Sequence, residues 1–376
     1  MSEPTPPDAP APDAPPQLLG SEDVSLDFRS GGYALLVALL LVAGVVAWRV
    51  QAIRSASHAA PSHEPSLEPC LVERETLVRA AERHGIPRLS QPRLVSREEA
   101  QTLKLGRRGK FLVSGDLVVG VGEGEAACAF PLRFLQWHEA IPHDLAGTPI
   151  VVCWSPLSGS AAAFERAPRG EEGQSLAPLS FVASGYLHDS GSLLVDEHQD
   201  PAQESLWSPL LARAVTGPAA AAGLTLKRVP LEVLRWEDWQ RLQPKTRVLA
   251  HDPARIKLYK REPYRSYEGS DTLRFPVSPE PPAEGPGPKA PVLAVQAEGA
   301  WRVYPLPWLE ARADAEGYVS VQQGERALRL RVWKNAPELP PAARVVEPEG
   351  LLSLRAYWFA WHAARPEDAT LGIQAP

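Results

Sequence analysis

The clearest pattern along the chain is an uncharged apolar run from Gly31 to Trp48, 18 residues long. At 1.5 Å per residue a helix of that length spans about 27 Å, close to the apolar thickness of a bilayer. Arg29 and Arg49 bracket the run, and Tyr33 and Trp48 lie near its ends. Cations and amphipathic aromatics settle at such interfaces. The pattern predicts one transmembrane helix over residues 31–50, with the lipid bilayer as its partner. The leading segment is acidic and no Ala-x-Ala site follows cleanly, so a signal anchor fits better than a cleaved leader.

Before that run, residues 1–30 are rich in Pro, Ala and acids and lack an apolar period. Such text predicts a disordered tail. Residues 51–74 read as a polar, Pro-containing linker. Glu73 to His84 has helical spacing, with Leu77, Val78, Ala80 and Ala81 apolar and Gly85 as a C-cap. From Lys110 onward the text turns to short apolar, β-branched runs between Gly, Pro, Asp and Ser. The predicted strands are Phe111–Val113, Leu117–Val121, Ala126–Phe130, Ile150–Trp154, Ala161–Phe164, Leu179–Val182 and Ser192–Val195. Trp236 to Leu242 reads as a short helix that stops before Pro244. Residues 278–291 hold so much Pro and Gly, and so little apolar text, that they read as a linker. Strand patterns resume at Val292–Val295, Ala300–Tyr304, Val319–Val321 and Leu328–Trp333.

The text on either side of that linker repeats itself. Val121, Phe130, Pro131, Leu132 and Leu135 match Val295, Tyr304, Pro305, Leu306 and Leu309 at one constant offset. Trp236, Trp239 and Pro244 match Trp358, Trp361 and Pro366 at a smaller one. A shrinking offset means that the second copy has lost part of its middle. The predicted fold is therefore α+β and β-rich. It has two unequal tandem repeats of mainly antiparallel strands with short helices, preceded by one transmembrane helix. The larger repeat covers 75–277 and the smaller one 292–372.

Composition narrows the function. The chain has 376 residues, 44% hydrophobic, and a net charge of −6. Binding to a nucleic-acid backbone needs a basic excess, so no nucleic-acid partner is expected. Cys70, Cys128 and Cys153 are the three cysteines, too few for a disulfide framework.

The richest motif is Ser155-Pro-Leu-Ser-Gly159, a tight turn directly after the strand that ends near Trp154. It stands in order with Ile86-Pro-Arg-Leu89, Val95-Ser-Arg-Glu-Glu-Ala100, Gly124-Glu-Ala-Ala-Cys-Ala-Phe-Pro-Leu132 and Trp137-His-Glu139. Ser184-Gly-Tyr-Leu-His-Asp-Ser190, Glu204-Ser-Leu-Trp-Ser208, Gly217-Pro218 and Arg261-Glu-Pro-Tyr-Arg-Ser-Tyr-Glu268 follow. Together these stretches resemble the family called "domain of unknown function 3179". The resemblance is strong over about 85–276 and looser beyond. It implies an exported or membrane-anchored protein whose loop is usually Cys-Pro-Leu-Cys-Gly, a pattern suited to thiol redox work or soft-metal binding. Here the two cysteine places hold Ser155 and Ser158. An expected Asn-Asp pair reads Pro142-His143, and an expected Tyr-Asn pair reads His188-Asp189.

The candidate functional loop comprises Trp137, His138, Glu139, Cys153, Ser155, Ser158, His188 and Trp207. His138 and His143 are weak metal candidates. They lie five apart with Pro142 between, so they cannot form a helical ligand pair. A buried histidine that bonds a backbone carbonyl is the plainer alternative for His138. No cofactor can be named. The leading expectation is a membrane-tethered binding or structural module that lacks the family's thiol chemistry, with a protein as a possible partner. The alternative is a thiol- or metal-dependent oxidoreductase using Cys153 with His138 and His143. For topology, Arg49 and Arg54 after the apolar run favour a cytoplasmic C-terminal side, whereas the resemblance implies an extracytoplasmic one. The expectation adopted is a single-pass membrane protein with an extracytoplasmic domain.

Overall fold

The computed structural model describes residues 64–372 apart from 84, 107–108 and 334–340. The expected acidic tail, the expected membrane helix over 31–50 and most of the 51–74 linker lie outside the described residues. Among the described residues, no helix is long and apolar enough to cross a membrane.

The chain runs through β1 (Leu77–Arg79), β2 (Leu94–Val95), α1 (Arg97–Thr102), β3 (Lys104–Leu105) and β4 (Gly109–Lys110). Next come β5 (Leu117–Val121), β6 (Cys128–Pro131), α2 (Leu132–His138), β7 (Ala140–Leu145), β8 (Thr148–Ser155) and β9 (Ser160–Glu165). β10 (Phe181–His188), β11 (Gly191–Asp196), β12 (Leu206–Ser208) and β13 (Arg213–Ala214) form a meander with β1 on its edge. α3 (Gly217–Ala221), β14 (Leu231–Arg235), α4 (Trp236–Leu242), β15 (Arg247–Leu249), α5 (Ile256–Tyr259) and α6 (Arg265–Glu268) follow. The C-terminal part holds β16 (Pro291–Ala297), β17 (Ala300–Pro305), α7 (Leu306–Arg312), β18 (Tyr318–Gln323) and β19 (Arg326–Trp333). It ends with β20 (Ala342–Glu347), β21 (Ser353–Tyr357) and α8 (Trp358–Ala364). The described protein is β-rich, with several antiparallel sheets and short helices.

Two groups of elements share one wiring. The ladders β14–β5–β6 and β21–β16–β17 are antiparallel throughout. Val118 faces Pro131 on one side and Leu234 on the other; Val292 faces Pro305 and Ala356 in the same way. α2 starts directly after Pro131, and α7 directly after Pro305. The Trp236 N–H donates to the Asp116 carbonyl at 2.8 Å, and the Trp358 N–H to the Ala290 carbonyl at 2.9 Å. Both inner tryptophans reach seven residues on. Trp239 Nε1 donates to Thr246 Oγ1 at 2.9 Å, and Trp361 Nε1 to the Asp368 carbonyl at 3.2 Å. The sheets β7–β8–β9 and β18–β19–β20 correspond as well. Ala140 faces Cys153 and Ser155 faces Ser160; Tyr318 faces Arg331 and Trp333 faces Ala342. Among the described residues the β10–β13 meander has no counterpart, and a short turn joins β20 to β21.

The halves interlock reciprocally, with β9 against β21 and β20 against β14. Ala342 of the second half is buried in the core of the first, and Leu210 of the first half in the core of the second. Large aromatics anchor both cores: Phe130, Phe134, Trp236 and Trp239 in one, Trp301, Trp358 and Trp361 in the other. Burying one such ring contributes about 2–3 kcal/mol.

Two expected elements form differently. The helix expected over Glu73–His84 is instead a 3₁₀ turn, Arg74–Thr76, followed by β1. Leu77 and Val78 pair with His188 and Leu187, so an open sheet edge outweighs a weak helical period. The strand expected at Phe111–Val113 is absent. Phe111 stacks on Phe134, with ring centroids 5.7 Å apart, and serves as a core anchor. The stretch 278–291 carries no regular element until β16 begins at Pro291, yet Lys289 is buried and its ammonium donates to the Tyr267 carbonyl at 2.7 Å.

Candidate functional site

The Ser-Pro-Leu-Ser-Gly segment lies where its sequence places it, between the end of β8 and the start of β9. Gly159 adopts φ +58, and a Cβ there would meet the Tyr357 ring at 2.9 Å, so both the turn and the close approach require glycine. The loop is sealed: Ser155 is 4% exposed, Ser158 0% and Leu157 8%. Its hydroxyls are used internally. Ser155 Oγ accepts from the Ser192 N–H at 3.0 Å, and the Ser158 and Ser160 hydroxyls are 2.8 Å apart. Its backbone is pinned from outside. The Tyr267 hydroxyl donates to the Leu157 carbonyl at 2.8 Å, and the Tyr357 N–H to the Ser158 carbonyl at 2.7 Å. The β10–β11 hairpin, α6 and β21 therefore all close over one turn.

Glu139 and Cys153 lie close together at the β7–β8 ladder just before the loop, where Ala140 pairs with Cys153. Glu139 caps α2 at φ 55, its N–H bonded to the Leu135 carbonyl at 2.7 Å and its own carbonyl to the Trp154 N–H at 2.9 Å. That left-handed residue turns its side chain away from the helix that ends at His138. Burial raises the Glu139 carboxyl to about 7, while the Ser192 hydroxyl pulls it back. Burial also pushes the Cys153 thiol far up, and the nearby Glu139 charge adds to that. A thiol held protonated and out of water is a poor nucleophile and a poor ligand. Trp207 shares a core with Cys153 and meets Phe181 edge-on at 5.4 Å.

The histidines are dispersed. His138 is 1% exposed, with Nδ1 2.6 Å from the Pro87 carbonyl and Nε2 2.8 Å from the Tyr259 hydroxyl. A carbonyl only accepts, so Nδ1 carries the proton and Nε2 accepts from Tyr259. Both nitrogens are occupied in a neutral ring, whose pKa burial lowers. The neighbouring Trp137 packs against the main core, its indole nitrogen buried without a partner. His143 stands on β7, its Nε2 3.4 Å from Cys128 Sγ. His188 ends β10 with Nε2 3.3 Å from Asp189 Oδ2. No group of three or more His, Cys, Asp or Glu side chains placed to hold a metal occurs among the described residues.

The structure thus gathers Glu139, Cys153, Ser155 and Ser158, and leaves His138, His143 and His188 apart. Sequence reasoning missed Ser160, Ser192 and Tyr357 as parts of this constellation. Tyr267 was visible as an aromatic next to Tyr264, but its bond to the loop depends on long-range packing. The text marks Trp358, the neighbour of Tyr357, but nothing in it marks Tyr357 as a partner of the loop.

These features define a β-rich protein built around a sealed turn, with a buried carboxyl and thiol beside it. The chain belongs to the family described as "Protein of unknown function (DUF3179)", whose model matches residues 83–350. No curated protein and no solved structure matches the chain.

Proposed function

We propose that this protein is a membrane-tethered binding or structural module, built from a duplicated unit and without the thiol chemistry that a Cys-Pro-Leu-Cys loop would carry. The observation that carries this reading is the sealed loop. Its serine hydroxyls bond within the fold, and Cys153 beside it is 3% exposed. A hydroxyl has no accessible redox couple and is a poor ligand for soft metals. The coinciding registers of the two halves support the duplication. In that reading the first copy carries the loop and the inserted meander, and the second copy closes over the loop. The uncharged Gly31–Trp48 run supports the tether, with the folded part on the extracytoplasmic side.

Native-state labelling with a maleimide tests the chemical part. Cys153 stays unmodified until denaturant is added, whereas rapid modification of Cys153 in the folded protein would restore the oxidoreductase reading. Protease protection in sealed vesicles tests the tether and its orientation. A folded fragment degraded only from the extracytoplasmic face supports the placement, and one released by an alkaline carbonate wash sinks the anchor.

A further inference from the structure

A cleft of about 630 Å³, none of whose lining residues belongs to the sealed loop, lies against the edge strand β7. It lies within the size range of small-molecule sites. Arg166 and Arg247 line it, together with His143, Asp144 and Ser90.

The two arginines come from distant parts of the chain. Arg166 directly follows β9 and is fixed by its N–H bond to the Pro149 carbonyl at 2.8 Å. Arg247 opens β15, held in register with Cys128 of β6. Neither guanidinium has a carboxylate partner among the described residues. Arg166 Nη1 donates to the Leu179 carbonyl at 3.1 Å, and its Nε is buried with no partner. Arg247 Nη2 donates to Cys128 Sγ at 3.8 Å. The nearby carboxylate does not serve them, because Glu165 is taken by Arg169 at 3.7 Å and Lys227 at 2.5 Å. The one carboxylate in the cleft, Asp144, accepts the Gly147 N–H at 2.6 Å through Oδ1.

Two guanidiniums lining one cleft repel each other, and part of each fork has no carboxylate to meet among the described residues. An oxyanion relieves both, since a guanidinium matches phosphate and carboxylate geometry with parallel hydrogen bonds. The cleft is larger than a bare phosphate ion, so it has room for an organic group beside the anion. His143 adds a ring wall that burial and the Arg247 charge keep neutral. The net charge of −6 makes a local cationic pair the more pointed, because it opposes the field of the whole chain.

We propose that the Arg166–Arg247 cleft binds a small phosphate-bearing anion. This site stands apart from the sealed loop and does not depend on the tether. Asp144 is the repulsive element that tunes its affinity.

The test is calorimetric titration of the full-length protein in detergent with inorganic phosphate, and then with glycerol phosphate, at low salt. Saturable binding is expected. Arg166→Gln and Arg247→Gln each weaken it at least about tenfold, the loss of one charge-assisted hydrogen bond. Asp144→Asn keeps the acceptor for Gly147 and tightens binding several-fold, an effect that mere damage to the fold would not produce. Tighter binding of glycerol phosphate than of phosphate points to a lipid headgroup as the source, and equal binding to a free anion. No saturable heat at millimolar phosphate overturns the proposal. So does binding that neither arginine variant weakens, or that chloride matches at equal ionic strength.

Discussion

The backbone N–H of Tyr357 donates to the carbonyl of Ser158 at 2.7 Å, and the Tyr357 ring lies against Gly159. This contact joins the last strand of the second half to the most distinctive turn of the first. It makes the closure of that turn a property of the whole chain, and it has a measurable consequence. Tyr357→Ala keeps the backbone bond and removes the ring, so it should cost about 2 kcal/mol or more in urea unfolding. Amide exchange at Ser158 to Ser160 should speed up selectively, since the turn then opens locally. Unchanged exchange there would mean that α6 and the β10–β11 hairpin alone hold the loop.

Glu139 gives the protein a pH dependence with a defined sign. Its carboxyl sits at about 7 in the folded protein, raised by burial from an ordinary 4.5. The folded state therefore holds a proton that the unfolded chain releases between those values. Stability from this group is complete below about 4.5, falls as the pH rises, and is lost above about 7. At about 1.4 kcal/mol per unit the upper bound is about 3 kcal/mol. Glu139→Gln should match the parent protein at pH 4.5 and exceed its stability at pH 8, measured by urea unfolding at both pH values. Glu232 is raised to about 7 and Asp196 to about 6, both by burial. The variant should therefore flatten the pH profile only in part. A variant less stable than the parent at pH 8 would show that the Glu139 charge is paired.

Opposite substitutions at one equivalent position of the two halves should both destabilise the protein. Gly120 lies under the Trp239 ring, and a Cβ there would meet it at 2.4 Å. Ala294 holds the matching place in the second half and is fully buried. Gly120→Ala should cost about 1–3 kcal/mol by overpacking. Ala294→Gly should cost about 1 kcal/mol through lost burial and added backbone freedom. Thermal melts of both variants check the pair.

His138 should behave as a structural residue. His138→Ala takes away the acceptor of the Tyr259 hydroxyl proton and leaves a cavity in the core, at a cost of about 2–4 kcal/mol. A chelator should leave the melting temperature of the parent protein unchanged. A fall on chelation, absent in the variant, would show a metal held at His138.

Much of the β-rich architecture is legible in the text because strands are local features. Ile150–Trp154 is apolar and β-branched, and it lies within β8. Trp236–Leu242 reads as a helix and is one. The likeness of the two stretches in the text has a structural counterpart, since Val118, Pro131, Trp236 and Trp239 hold the same register places as Val292, Pro305, Trp358 and Trp361. α2 and α7 carry no acidic residue in their first turn, whereas Trp236–Leu242, equally short, has Glu237 and Asp238 there and Pro244 just beyond its end, so only the last is marked as a helix in the text.

What the sequence determined by itself was the β-rich class, the short helix before Pro244, the tight turn after β8 and the family to which the chain belongs. Each rests on neighbouring residues, whose preferences act over a few positions. Only the tertiary structure decided that Glu139 and His138, adjacent in the chain, face different surroundings, because the left-handed backbone at Glu139 reverses direction. Packing likewise brought Tyr357 onto Ser158, and Arg166 and Arg247 into one cleft. Such contacts join residues far apart in the chain, and local propensity carries no record of which distant strand will lie alongside.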